Sequence, residues 1–295
     1  MNACLQARVL ICLAMAVLAC FSGCIQKSYR YGIANQELLA TLPRTPNLIT
    51  IGGDHPRIDS IERTFQYPKK VFQQWFPPSK PAADPNDLRL QAVQTATDYL
   101  DDNGLKGVYV DVREYNPDEQ WNRLVKNKRI SPFWKYTGGT LYHLGYCVLP
   151  GRAIGMDSYN GFTNTLSINS TSQSNSLLRA GYVKKLYDQR YPGTYIAANW
   201  LPILPLVRDT SVASDVMTYA RMQQNWPIEK ELLPQVCAQL GGDTVSQATS
   251  LIPGFAYLPF YFKPVLTVAG SAAGGATGTA VAKQREKRLS ERLIR

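Results

Sequence analysis

The chain has 295 residues, enough for one or two domains. With 45% apolar and 18% charged residues it can bury a core, which excludes a disordered or collagen-like chain. The net charge of +10 is lopsided: Lys283 to Arg295 hold six Lys or Arg against two Glu, so the rest of the chain is only mildly basic and nucleic acid is not the indicated partner. In chain order, Arg8 is the sole charge among the first 26 residues, and Val9 to Phe21 is an apolar run of thirteen. That length suits a signal-peptide core and is short for a spanning helix. The run ends in Phe21-Ser22-Gly23-Cys24.

This ending resembles the lipobox of bacterial lipoproteins, with Phe21 where Leu is usual. The resemblance implies cleavage before Cys24 and lipid, including palmitate-type acyl chains, on its thiol. It places the mature chain on the extracytoplasmic side of a cell-envelope membrane, with membrane lipid as partner through Cys24 and envelope proteins as further partners. Residues 1–23 are then the signal peptide and 24–45 a polar tether. Of the six cysteines, Cys147 and Cys237 remain, either as a candidate disulfide or as two separate apolar cysteines.

The domain is expected over 46–250. Asp84-Pro85 opens a helix whose apolar face is Leu88, Ala92, Val93, Ala96 and Leu100, and Asn103-Gly104 stops it. Gly107 to Arg113 alternates Val108, Val110 and Val112 with Tyr109, Asp111 and Arg113, as a half-buried strand does. Asn116-Pro117 opens a second helix, with Glu119 as capping-box partner and Trp121, Leu124 and Val125 facing inward. Residues 136–168 read as strands with a tight turn at Asn160-Gly161. A third helix is expected over Ser174–Arg190, bearing Leu178, Gly181, Tyr182 and Leu186 on one side. A fourth is expected near Val212–Gln224. The order gives an α+β fold.

The stretch Tyr159 to Leu166, the third helix, Tyr195 through Leu206 and Ala213-Ser214-Asp215 resemble a gluzincin-type metallopeptidase domain. The resemblance implies a zincin-like mixed sheet packed with helices. In that family an H-E-x-x-H helix sets two His on one face to grip zinc, and Glu activates water. Here Leu178, Arg179 and Tyr182 stand at those positions, and Thr210 stands at the third ligand. The likeness therefore extends to the scaffold without its chemistry, and no metal or other cofactor is expected.

Other chemistry is sparse. His55 lies in Gly52-Gly53-Asp54-His55-Pro56, a turn-like cluster. His143 and Cys147 are four apart, which suits a helix, whereas the strand read here sets them about 13 Å from each other. The paired acids Asp101-Asp102 and Asp118-Glu119 fit helix ends.

From Leu251 to Ala282 the chain is apolar and then rich in Gly and Ala. Pro264 to Ala282 carries no charge, and Gly270, Gly274 and Gly278 recur every four residues. On a helix they form a stripe for close helix packing. Two outcomes fit: a packing or membrane-inserted helix, or a flexible linker to the basic tail at 283–295. Three functions follow as expectations. The first is a non-catalytic binding or scaffold lipoprotein. The second is a hydrolase using Asp54-His55 or Asp209. The third is an oligomeric membrane protein built on the glycine stripe.

Overall fold

The structure is a computed structural model, and it describes residues 29–35, 37–38, 42–64, 84–201, 204–251 and 262–293. Cys24 and the signal-peptide segment 1–23 lie outside the described residues. The chain divides into two compact units at Ala198 and Asn199, inside the stretch expected to be one domain.

The unit from Arg30 to Ala198 is α+β. Its strands are β1 (Leu48–Ile51), β2 (Tyr109–Val112), β3 (Ser158–Asn160) and β4 (Thr165–Ile168), in the order β1-β2-β4-β3. β1, β2 and β4 run parallel, and β3 pairs antiparallel with β4. Register and strand alternation sort the side chains. Val110, Val112, Leu166 and Ile168 share one face, while Tyr109, Asp111, Thr165, Ser167, Ser158 and Asn160 share the other.

The apolar face carries the main core. α1 (Pro85–Asp102) offers Ala92, Val93, Ala96, Tyr99 and Leu100, all buried. It starts where the Asp84 carboxylate accepts from the Asn86 N–H, and it stops at Asn103 beside the left-handed Gly104. It packs on α5 (Gln173–Tyr187), which buries Leu177, Leu178, Ala180, Val183 and Leu186.

The polar face is covered by α2 (Pro117–Lys126), capped by the Asn116 side chain on the Glu119 N–H. Its inward residues are Gln120, Arg123 and Leu124, whereas Val125 is 40% exposed and Trp121 only partly buried. Glu119 does not close a capping box; its side chain accepts from Arg123. Of the expected apolar face Leu124 is buried, while Gln120 and Arg123 take the rest of the inward side because they lie on Asp111 and Thr165.

Residues 136–154 are helical, which corrects the strand expectation there. Pro132–Trp134 runs through a π-helical turn, Lys135–Gly139, into α3 (Thr140–Val148), and α4 (Gly151–Ile154) follows. Ser131-Pro132 is a helix start, Pro150 is a stop, and Leu141, Leu144 and Val148 keep helical spacing. The β3–β4 hairpin exists, but its loop is 161–164, and its left-handed residue is Asn164 (φ 55°) rather than Gly161. Gly161 is needed for room: a Cβ there would lie 2.5 Å from Leu186 and 2.8 Å from Ile196. Pro192 does not end α5 but begins the short helix α6 (Pro192–Ala198).

The other unit comprises, among described residues, Tyr29 and those from Asn199 onward. It consists of α7 (Leu204–Met222), α8 (Trp226–Leu251) and α9 (Phe262–Leu293). The Gly/Ala-rich segment is helical. Gly270, Gly274 and Gly278 lie against Gly241, Cys237 and Leu233 of α8, an antiparallel register with four-residue steps on both helices. A Cβ on Gly274 would overlap the Cys237 carbonyl oxygen, and one on Gly278 would sit 2.5 Å from that of Leu233. This is small-xxx-small packing, with the stripe occupied by α8 of the same chain. Glu229 of α8 is 3% exposed and is held by Arg221 of α7 and Arg285 of α9, so one carboxylate ties three helices. Among the described residues no helix is long and apolar enough to cross a membrane.

Candidate functional site

The polar sheet face is the unusual feature of the α+β unit. A sheet face covered by a helix normally carries apolar side chains, because burying an unpaired polar group costs ~1–3 kcal/mol. Here Asp111 is 2% and Arg123 4% exposed. Arg123 Nη1 donates to Asp111 Oδ2 at 2.8 Å and to Thr165 Oγ1 at 3.3 Å. Its guanidinium lies over the Tyr109 ring at 4.3 Å. Gln120 Nε2 donates to the same Asp111 Oδ2 at 2.9 Å. The other oxygen, Oδ1, is buried and accepts no hydrogen bond from the protein. Burial raises the Asp111 carboxyl above the usual carboxylate range, against the opposing pull of Arg123.

Beside this pair is a cavity of about 220 Å³. Gln120 and Ser167, the two neighbours of Asp111 by hydrogen bond and by register, both line it. Ser158 and Asn160 line it from β3, and Tyr142 and Tyr146 from α3. Burial also pushes the Tyr146 hydroxyl well above its ordinary value. The lining thus offers two amides, two serine hydroxyls and two phenols, and carries no formal charge.

The carboxyl ends of the parallel strands are a common ligand position in α/β sheets. In this chain charges fill that end. Arg113 follows β2 in the left-handed region (φ 51°), and its guanidinium meets Asp59 and Glu62 at 2.9 Å. Arg152, 2% exposed, donates to both oxygens of Asp59 and to the carbonyls of Gly53 and Arg113. Burial would raise the Asp59 carboxyl, but hydrogen bonds from Arg152 and the His55 N–H, with the charges of Arg152 and Arg113, hold it below the usual range. These groups satisfy one another, so the end is locked rather than open.

The expected site residues fall as follows. Leu178 and Tyr182 are buried on α5, with the Arg179 guanidinium 5.4 Å from the Tyr182 ring centre. Thr210 is exposed on α7 and donates to the Leu206 carbonyl, while Asp209 is buried and bound by Arg208 and Gln239. Asp54 is exposed; His55 donates its N–H to Asp59 and sets its ring edge-on to Tyr115. Cys147 is half-buried and Cys237 buried, and no disulfide joins them in the structure.

His143 and Cys147 were expected apart on a strand. On α3 they share a face, with Cys147 Sγ 3.6 Å from His143 Nε2 and the imidazole against the Trp121 ring. A thiol beside an imidazole is the first half of a nucleophilic site. The second half, a group that orients the base, does not face this histidine: His143 Nδ1 is buried without a hydrogen-bond partner. Among the described residues no three His, Cys, Asp or Glu side chains gather to hold a metal ion.

Sequence reasoning missed the cavity because alternation placed Asp111 on a solvent face. The signal was present three residues apart on α2, where Gln120 and Arg123 supply a donor pair for one carboxylate. No protein-family model, no curated protein and no solved structure matches the chain.

Proposed function

We propose that the chain is a lipid-anchored, non-catalytic binding protein of the cell envelope whose α+β unit takes a small, uncharged, hydroxyl-rich molecule of monosaccharide size. The observation that carries the reading is the cavity lined by Gln120 and Ser167, the neighbours of Asp111. Its lining carries no formal charge and offers hydroxyl and amide groups beside Leu149 and two glycines, and Gln120 in that lining donates to Asp111, whose other carboxylate oxygen is buried without a protein hydrogen bond. Polar groups of this kind orient a ligand, and aromatic rings such as those of Tyr142 and Tyr146 suit the apolar faces of a sugar. At about 220 Å³ the cavity is smaller than the ~300 Å³ at which pockets for drug-sized ligands begin, which fits a single ring.

The anchor belongs to the same proposal and rests on Phe21-Ser22-Gly23-Cys24. So does the metallopeptidase-like scaffold. Burial of Leu178 and Tyr182 supports a fold in which those positions serve packing.

The test is calorimetric titration of the chain with a panel of neutral monosaccharides, alongside Ser167→Leu and Asn160→Leu variants. Binding by at least one sugar, lost in both variants while their unfolding temperature holds, supports the reading. No heat from any sugar, or binding that survives both substitutions, sinks it. Incorporation of labelled palmitate that Cys24→Ser does not abolish would sink the anchor.

A further inference from the structure

We propose that the helical segment Pro132–Val148 is a membrane-surface contact that lays its outer face into the headgroup region of an anionic bilayer. The segment shows a run of large apolar side chains to solvent. Phe133 is 65% exposed, Tyr136 59%, Leu141 63%, Leu144 56% and Val148 85%. A monomeric surface seldom gathers so many in one place without a use.

The π-helical turn is what aligns them. The steps between these residues are three, five, three and four. An α-helix puts residues three or four apart on one face and residues five apart on different faces. The five-residue step from Tyr136 to Leu141 crosses the turn Lys135–Gly139, where the wider π-helical spacing absorbs the extra residue. A regular helix of the same sequence would split the stripe in two.

The segment is also held firmly from beneath, so its exposure is not that of a loose loop. Gly138 and Gly139 are buried, and a Cβ on Gly139 would lie 2.7 Å from Leu124. Trp134 packs against Gly193 and donates its ring N–H to Thr194.

Charge selects the occupant. Residues 120–156 hold six Lys or Arg and not one Asp or Glu. Arg123 and Arg152 are buried in ion pairs. Arg129 is held with its guanidinium over the Tyr187 ring, and Lys135 Nζ donates to the Val125 carbonyl. Lys126 and Lys128 remain exposed, a few residues before the stripe in the chain. An exposed apolar stripe on a helix, in a stretch of chain whose only charges are basic, is the pattern of an interfacial helix on anionic lipid. The lipobox reading would keep this face near a bilayer, but the contact itself does not depend on that reading or on the sugar site.

The experiment is amide hydrogen exchange on the full chain, mixed with vesicles of phosphatidylcholine alone or of phosphatidylcholine with phosphatidylglycerol. Exchange is read peptide by peptide, so the result does not depend on how the N-terminus holds the chain. Peptides covering 132–148 should exchange several-fold more slowly with the anionic vesicles, and Leu141→Ser with Val148→Asp should remove that protection while β2 and β4 exchange as before. Lys126→Glu with Lys128→Glu should remove most of that protection. Equal exchange in both vesicle types, or protection that survives Leu141→Ser with Val148→Asp, would overturn the proposal. So would protection that rises with protein concentration on neutral vesicles, which would assign the stripe to a second copy of the chain.

Discussion

Both units bury a carboxylate, Glu229 in the helical unit and Asp111 in the α+β unit, but they differ in what else they bury. The helical unit buries backbone: three glycines of α9 let two helix axes approach until main chain meets main chain. The α+β unit buries an ion pair on its sheet: Asp111 of β2 meets Arg123 of α2 on a sheet face that aliphatic residues would fill more cheaply. The first arrangement needs no explanation beyond packing, since it replaces solvent with close contact along a whole helix. The second is costly, because desolvating an ion pair is offset only where geometry is good, and an apolar pair of similar size is often no less stable. The buried Asp111 oxygen without a protein hydrogen bond, near a cavity lined by Gln120 and Ser167, is the observation on which the proposed ligand rests.

That contrast can be broken at several points. The largest effect is expected for Arg123→Ala, which leaves Asp111 buried without its countercharge and should cost about 3–5 kcal/mol in chemical denaturation. The sign of its pH dependence follows from Asp111. A carboxyl whose folded pKa is raised favours folding below its unfolded pKa and loses that contribution as pH rises through the folded value. The deficit of Arg123→Ala should therefore be greatest at neutral pH and shrink in acid.

Gly274→Val should come next, at about 1–3 kcal/mol from overpacking against the Cys237 carbonyl. Exchange should accelerate in α8 and α9 and stay unchanged in β2 and β4. Equal acceleration in both units would show that they do not unfold separately.

Asp59→Asn takes a charge from Arg113 and Arg152 and should cost about 1–3 kcal/mol near neutrality. The folded Asp59 carboxyl is depressed, so its contribution is present above the unfolded pKa and fades as pH falls through the folded value. Wild type and variant should converge in acid.

The smallest effect is assigned to Lys230→Ala. It breaks an α8–α9 ion pair with Glu286 whose side chains are 48% and 47% exposed, and thermal unfolding should move by the equivalent of roughly 0–1 kcal/mol.

The elements that were legible in the sequence are those with local punctuation. Asp84-Pro85 and Asn116-Pro117 name their helices because a capping side chain and a fixed proline φ act within three residues. The valines at 108, 110 and 112 name their strand by alternation. The site was not legible, because burial of Asp111 is decided by what α2 places over it, and that is a tertiary fact. The segment 136–154 was misread for a related reason: aromatic side chains favour strands only where a pleated surface receives them, whereas here the helical spacing of Leu141, Leu144 and Val148 and the prolines at 132 and 150 prevail. Helix α9 lay between two outcomes in the sequence, since Gly-rich helices are intrinsically weak, by ~1 kcal/mol per glycine. Its close packing on α8 is the compensating contact, and spacing alone could not reveal its partner.

The central claim is that the Asp111–Arg123 pair is retained for ligand binding and not for stability. Replacing both residues at once, with Asp111→Leu and Arg123→Met, tests it most directly when denaturant unfolding and sugar titration are run on the same preparation. The account predicts unfolding as stable as wild type or more so, with binding lost. A double variant that is destabilised by several kcal/mol and still binds would contradict it.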